Sequence, residues 1–174
     1  MPVSLYDAVI PSQLQILESM RRLIGKAEVH CREGGGKPAE CIDARFAADM
    51  EPFAYQIKSL TVHSIGAIEG VRKGSFSPDT STPPNSFEGL AARVVETMSS
   101  LRDISAEEME SFIGREMRFV DGEIHMDFTA ENFLLSFSQP NFYFHATTAY
   151  DLLRWKGLSI GKADFNGRVR RKRT

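Results

Sequence analysis

Three features of this 174-residue chain predict an all-α fold: a four-helix bundle with one short β-hairpin before the last helix. Four long stretches carry apolar residues at three- and four-residue spacing, the stripe with which a helix buries one face. Residues 115–128 alternate instead, around Asp121-Gly122, which is a hairpin signature. The segments between are rich in Gly, Pro, Ser and Thr, which punctuate rather than extend regular structure. The length fits one domain with a sizeable core. Residues 1–167 are read as that domain and 168–174 as a basic, disordered tail.

Taken in order, Ile10, Leu14, Leu17, Met20, Ile24, Ala27 and Cys31 form the first stripe. Pro11 suits a first turn better than an interior, so the helix is expected to start near it. Gly34, Gly35 and Gly36 end it. Residues 37–48 connect to a second helix, with Asp49 as its expected N-cap and Pro52 in its first turn. Phe53, Ile57, Leu60, Ser64, Ala67 and Val71 trace its buried face. His63 lies about 80° off that face at ~100° per residue, which puts it on the core boundary. Residues 72–86, with three prolines, read as an irregular surface crossover.

Ser86 is the cap of the third helix, and Phe87, Leu90, Val94, Met98 and Leu101 form its stripe. The capping box Ser105-Ala-Glu-Glu108 opens a short helix that ends by Gly114. In the hairpin, Met117 and Phe119 precede Asp121-Gly122, and Ile124, Met126 and Phe128 come after it. That dipeptide suits a type I′ turn. A lone hairpin is marginal in water, so it must lie on the bundle, with His125 toward solvent. Thr129 caps the last helix, whose buried face reads Leu134, Phe137, Asn141, Phe144, Thr148, Leu152 and Trp155. Pro140 is expected to kink it and open space in the core. Gly157 ends it, and Leu158, Ile160 and Phe165 fold back.

The chain is 42% hydrophobic and 25% charged, with a net charge of −2, so no global field selects nucleic acid or membrane. Nucleic acid is not an expected partner. Five of the 21 basic residues are Arg168, Arg170, Arg171, Lys172 and Arg173, which leaves the body acidic, 16 positive charges against 23 negative. The first residues lack the basic and apolar regions of a signal peptide. No apolar run approaches the ~18 residues of a membrane span. The expectation is a cytoplasmic protein with Cys31 and Cys41 reduced. No nucleophile elbow, phosphate-binding glycine loop or dinucleotide fingerprint is present.

Chemistry concentrates in residues 139–167. Asn141 and His145 are one helical turn apart and point the same way. Two readings stay open. In one, Asn141 satisfies backbone freed by Pro140 and His145 bonds a carbonyl or hydroxyl. In the other, His63 and His145 supply two metal ligands from different helices, with Asn141 or a carboxylate as the third. Tyr143 and Thr148 are expected to line the same pocket.

The stretch PNFYFHATTAYDLLRWKGLSIGKADFNG resembles the C-terminal signature of an uncharacterised bacterial family in the DinB/YfiT-like superfamily of four-helix bundles. DMEPFAYQIKSLTVHS, from Asp49, is similar to that family's second-helix region. The resemblance covers nearly the whole chain. It implies an up-down-down-up bundle, a homodimer, and a divalent metal (Zn, Ni, Fe or Mn) held by three histidines. One of these comes from the second helix and two, four residues apart, from the last. By that resemblance His63 matches the first and His145 the third; the remaining position is Asn141, a departure from the pattern. The function implied is a metal-dependent enzyme of thiol-transferase, isomerase or hydrolase type. The alternative is a non-catalytic small-molecule-binding or interaction module that has lost the metal.

Overall fold

Ser4, not Pro11, starts the first helix in the computed structural model, which describes residues 3–172. The Ser4 Oγ accepts from the Asp7 amide at 3.0 Å, and α1 runs Leu5–Arg32 with Pro11 inside it. A proline there forfeits one backbone hydrogen bond. The cap and a face buried from Leu5 to Cys31 outweigh that loss. After a glycine turn, α2 spans Pro38–Ile42. Asp49 lies upstream of the next N-cap, which is Pro52, and α3 runs Phe53–Thr61. A proline is suited to this place, because its fixed φ matches the extended backbone before a first helical turn.

α3 continues through a π segment, Val62–Gly66, into α4, Ala67–Lys73. Gly74, with a φ of 75°, ends α4. The chain then forms β1, Ser75–Phe76, inside the stretch read from sequence as irregular. Gly70 makes this possible, since a Cβ there would sit 3.0 Å from the Phe76 Cβ and 3.2 Å from the Ser75 carbonyl oxygen. β1 pairs in parallel with β2, Glu116–Asp121, and places Phe76 opposite Phe119. β2 pairs antiparallel with β3, Ile124–Thr129.

The hairpin loop is Gly122-Glu123, because Asp121 pairs with Ile124. Gly122 has a φ of 56°, and no non-glycine residue among those described has a positive φ. That is the pattern of a type II′ turn rather than type I′, which would force Glu123 into the left-handed region as well. His125 is exposed.

Ser86 caps α5, Phe87–Arg102, its Oγ accepting from the Gly89 amide at 3.1 Å. Ser105 caps α6, Ala106–Glu110, in the same way. α7, Ala130–Asn132, leads through a second π segment, Phe133–Ser138, into α8, Gln139–Trp155. Pro140 is the second residue of α8, so its missing amide falls where the π segment hands over. The expected stripe of this helix holds only in part beyond that point: Thr148 and Leu152 are buried, and two other members are not. Phe144 and Trp155 are 56% and 60% exposed. The buried face is Phe142, Ala146, Thr148, Ala149, Leu152 and Leu153. One extra residue in a wide turn rotates the downstream helix by about 100° relative to Leu134 and Phe137.

Leu158 and Ile160 return to the core, and α9, Lys162–Asn166, lies on α1, where Gln15 Nε2 donates to the Asn166 carbonyl at 2.7 Å. In the basic tail, Arg170 donates to the Ser12 Oγ at 3.3 Å; Arg173 lies outside the described residues. α1 packs on α5 and α3 on α8, with further contacts between α1 and α8 and between α3 and α5. The protein is mostly helical with a small three-stranded sheet. Among the described residues no helix is long and apolar enough to cross a membrane.

Candidate functional site

The two π segments meet. Ser138, at the end of the second, donates its Oγ hydrogen to the His63 carbonyl in the first at 2.9 Å. Beside this contact is a cavity of about 220 Å³. α3 and the first π segment supply Tyr55, Lys58, Ser59, Val62 and His63 to its wall. Strands β1 and β2 supply Phe76 and Phe119, and the loop after β1 supplies Pro78 and Asp79. The second π segment and α8 supply Phe137, Asn141 and His145. The sheet thus forms one wall of the site. Phe119 packs on Phe137 at 5.0 Å between ring centroids, and Phe76 on Phe133 at 5.3 Å.

His145 is held in one tautomer. The buried Gln56 donates through Nε2 to the Glu51 carbonyl at 2.9 Å, and a carbonyl only accepts. The Gln56 Oε1 therefore faces His145 Nδ1, 2.7 Å away, and Nδ1 carries the proton. That leaves Nε2 with a free lone pair and no proton. Burial pushes the His145 imidazole down to about 4, so the ring is neutral near pH 7.

His63 lies 5.7 Å from His145 between centroids, with the ring planes 16° apart. Phe76 and Phe137 flank it at 5.6 and 6.0 Å. Its Nδ1 is buried and has no hydrogen-bond partner among the described residues. Burial, with His145 as a smaller cause, pushes this imidazole down to about 4 as well. Asn141 donates through Nδ2 to the Phe137 carbonyl at 2.8 Å, one turn back. Its Oδ1 remains an acceptor.

Lys58 is only 1% exposed. Its ammonium donates to the carbonyls of Asp79 and Ser81 and lies 3.9 Å from the Asp79 carboxylate. Arg93 reaches the other Asp79 oxygen at 3.2 Å. Burial works against that carboxylate, but hydrogen bonds from Ser81 and the charges of Lys58 and Arg93 outweigh it, holding the pKa below the usual range. The group straps the loop after β1 onto α3 and α5, and its two cations meet one anion.

The pattern of the domain of unknown function DUF1993 matches residues 5–166. The chain belongs to this family. No curated protein matches the sequence. A DinB family member protein from Shewanella denitrificans has a crystal structure similar to this DUF1993 chain, with a TM-score of 0.82 and 20% identity over 98% of this chain and 96% of that one. At that identity the likeness shows the fold alone. The family resemblance read from the C-terminal signature holds.

The DUF1993 fold brings His63, Asn141 and His145 to one cavity. Tyr143 and Thr148 do not line it. Thr148 is buried and donates to the Phe144 carbonyl at 2.8 Å, and Tyr143 packs edge-on against Phe142. Sequence reasoning missed Gln56, Lys58 and Asp79. Only Lys58 left a trace, a charge flanked by the apolar positions Ile57 and Leu60. The thiols of Cys31 and Cys41 meet at 3.5 Å on α1 and α2, away from the cavity, and burial pushes Cys41 up to about 11.

Proposed function

We propose that this protein binds a small molecule in the histidine cavity without a resident metal. The observation that carries the reading is the cavity wall, where the His63 and His145 rings, 5.7 Å apart, share one volume with Phe76, Phe119 and Phe137. The His63 Nδ1, buried without a partner, costs about 1–3 kcal/mol, a cost that the protein bears to keep this ring in the wall. Two faced, neutral imidazoles in an aromatic enclosure match the general design of small-molecule sites, mostly apolar with a few convergent polar groups.

The donor set does not fit the divalent metal that the family resemblance implies. Among the described residues no three His, Cys, Asp or Glu side chains are grouped to hold one. The third position is a neutral amide, Asn141, in place of an imidazole. Asp79, the carboxylate in the wall, is shared by Lys58 and Arg93, so a dication would enter beside an ammonium with no free anion to receive it. We also propose that the long helices, with α1 on α5 and α3 on α8, run in up-down-down-up order.

The test is elemental analysis of protein purified without chelator or metal-affinity tag, before and after incubation with Zn, Ni, Fe and Mn. The expected result is well under one metal per chain, unchanged in the His63→Ala, His145→Ala double variant. Near-stoichiometric metal that disappears in the double variant would overturn the proposal.

A further inference from the structure

Resting on the reading of the cavity as a small-molecule site, its hydrogen-bonding polarity narrows what the molecule can be. The Glu51 carbonyl orients Gln56, Gln56 takes the Nδ1 proton of His145, and Nε2 is left as an acceptor on the cavity side. Asn141 spends its Nδ2 on the Phe137 carbonyl and likewise offers an acceptor, Oδ1. A ligand that meets either of these two acceptors must therefore bring the donor.

Its charge is set by the strap. Two of the three Lys58 hydrogens are engaged by the Asp79 and Ser81 carbonyls and the Asp79 carboxylate lies 3.9 Å away, so an anion would face two acceptor lone pairs and an ammonium already held in the strap. A cation fares no better, because the Asp79 carboxylate is already matched by Lys58 and Arg93. Its shape is set by the rings. Phe76, Phe119 and Phe137 stand 5.0–6.3 Å apart along the wall, a setting for a flat apolar body. The volume of about 220 Å³ is ample for one six-membered ring, since an engineered cavity of ~150 Å³ takes benzene.

We propose that the cavity recognises a neutral, planar aromatic molecule through a hydroxyl or N–H group that donates to His145 Nε2, as a phenol does. Gln56 is the positioning residue, acting on the ligand through His145.

Two measurements on the full-length chain test this. Nitrogen-15 NMR of labelled histidine reads the tautomer of His145 directly. The expected signature is a protonated Nδ1 and a bare Nε2; a protonated Nε2 would overturn the inference without any variant. Phenol, toluene and benzoate are then titrated against the same histidine signals. Phenol is expected to bind about tenfold more tightly than toluene, the worth of one neutral hydrogen bond, and benzoate to be the weakest. In Gln56→Met the preference for phenol is expected to shrink together with the Nδ1–H signature. Equal binding of phenol and toluene would leave the cavity reading standing and overturn the donor rule. Tighter binding of benzoate would replace the neutral ligand with an anion. No response to any of the three, in folded protein, would overturn the cavity reading and this inference with it.

Discussion

α1 and α5 bury Ile10, Leu17, Ile24, Leu90, Val94 and Leu101, aliphatic residues at helical spacing on helices that contain no π segment. The other pair of long helices differs. α3–α4 and α8 each adjoin a wide turn, and these two turns carry or neighbour His63, Phe137, Asn141 and His145. One pair closes on itself with regular packing. The other gives up regular backbone hydrogen bonding at the place where a cavity is kept open, and the Ser138–His63 bond holds the two distortions together. Wide turns are costly enough that they persist mostly where function needs them.

The largest effect that separates the two regions is a truncation in the regular one. Leu90→Ala is expected to cost ~2–5 kcal/mol in chemical denaturation while leaving histidine-cavity binding in the remaining folded protein unchanged. A loss of binding with stability intact would break the comparison.

Acid should act on the distorted pair. Both rings titrate at about 4 when folded, against an ordinary 6.5. Between those values the unfolded chain holds more protons, so stability is full above about 6.5 and falls as pH drops toward about 4. The slope is at most ~1.4 kcal/mol per pH unit for each ring, read from denaturation midpoints at several pH values. His145→Phe should remove about half of the slope, and a profile identical to the parent would count against the burial of that ring.

Lys58→Met keeps most of the volume and removes the donors that hold the Asp79 and Ser81 carbonyls. It is expected to cost about 1–3 kcal/mol. It should also speed hydrogen exchange in residues 77–82 while leaving α1 and α5 protected; faster exchange throughout would mean that the strap supports the whole fold. The smallest effect is Ser138→Ala, about 1 kcal/mol, from the loss of the bond between the π segments.

The same contrast explains what the sequence made legible. The α5 stripe and its Ser86 cap can be read from spacing alone, because nothing disturbs the helical count between Phe87 and Leu101. The α8 stripe cannot, since no residue type between Phe133 and Ser138 announces an extra residue in the turn, and the error carries forward to Phe144 and Trp155. β1 was hidden because two residues cannot show a period; its partner strand and the bare Gly70 define it. His63, Asn141 and His145 were visible as polar groups near apolar faces. Gln56, which sets the tautomer, and Asp79, which occupies Lys58, were not, because their roles lie in partners 89 and 21 residues away.

The most direct test of the account is the NMR titration of the His63 and His145 Cε1 protons in ligand-free protein from pH 3 to pH 8. Two neutral imidazoles enclosed between the π segments should both titrate near 4, with the fold retained down to that pH or lost as they charge. Midpoints near 6.5 in folded protein would mean that water reaches both rings freely, and the sheltered cavity on which the proposed function rests would not exist.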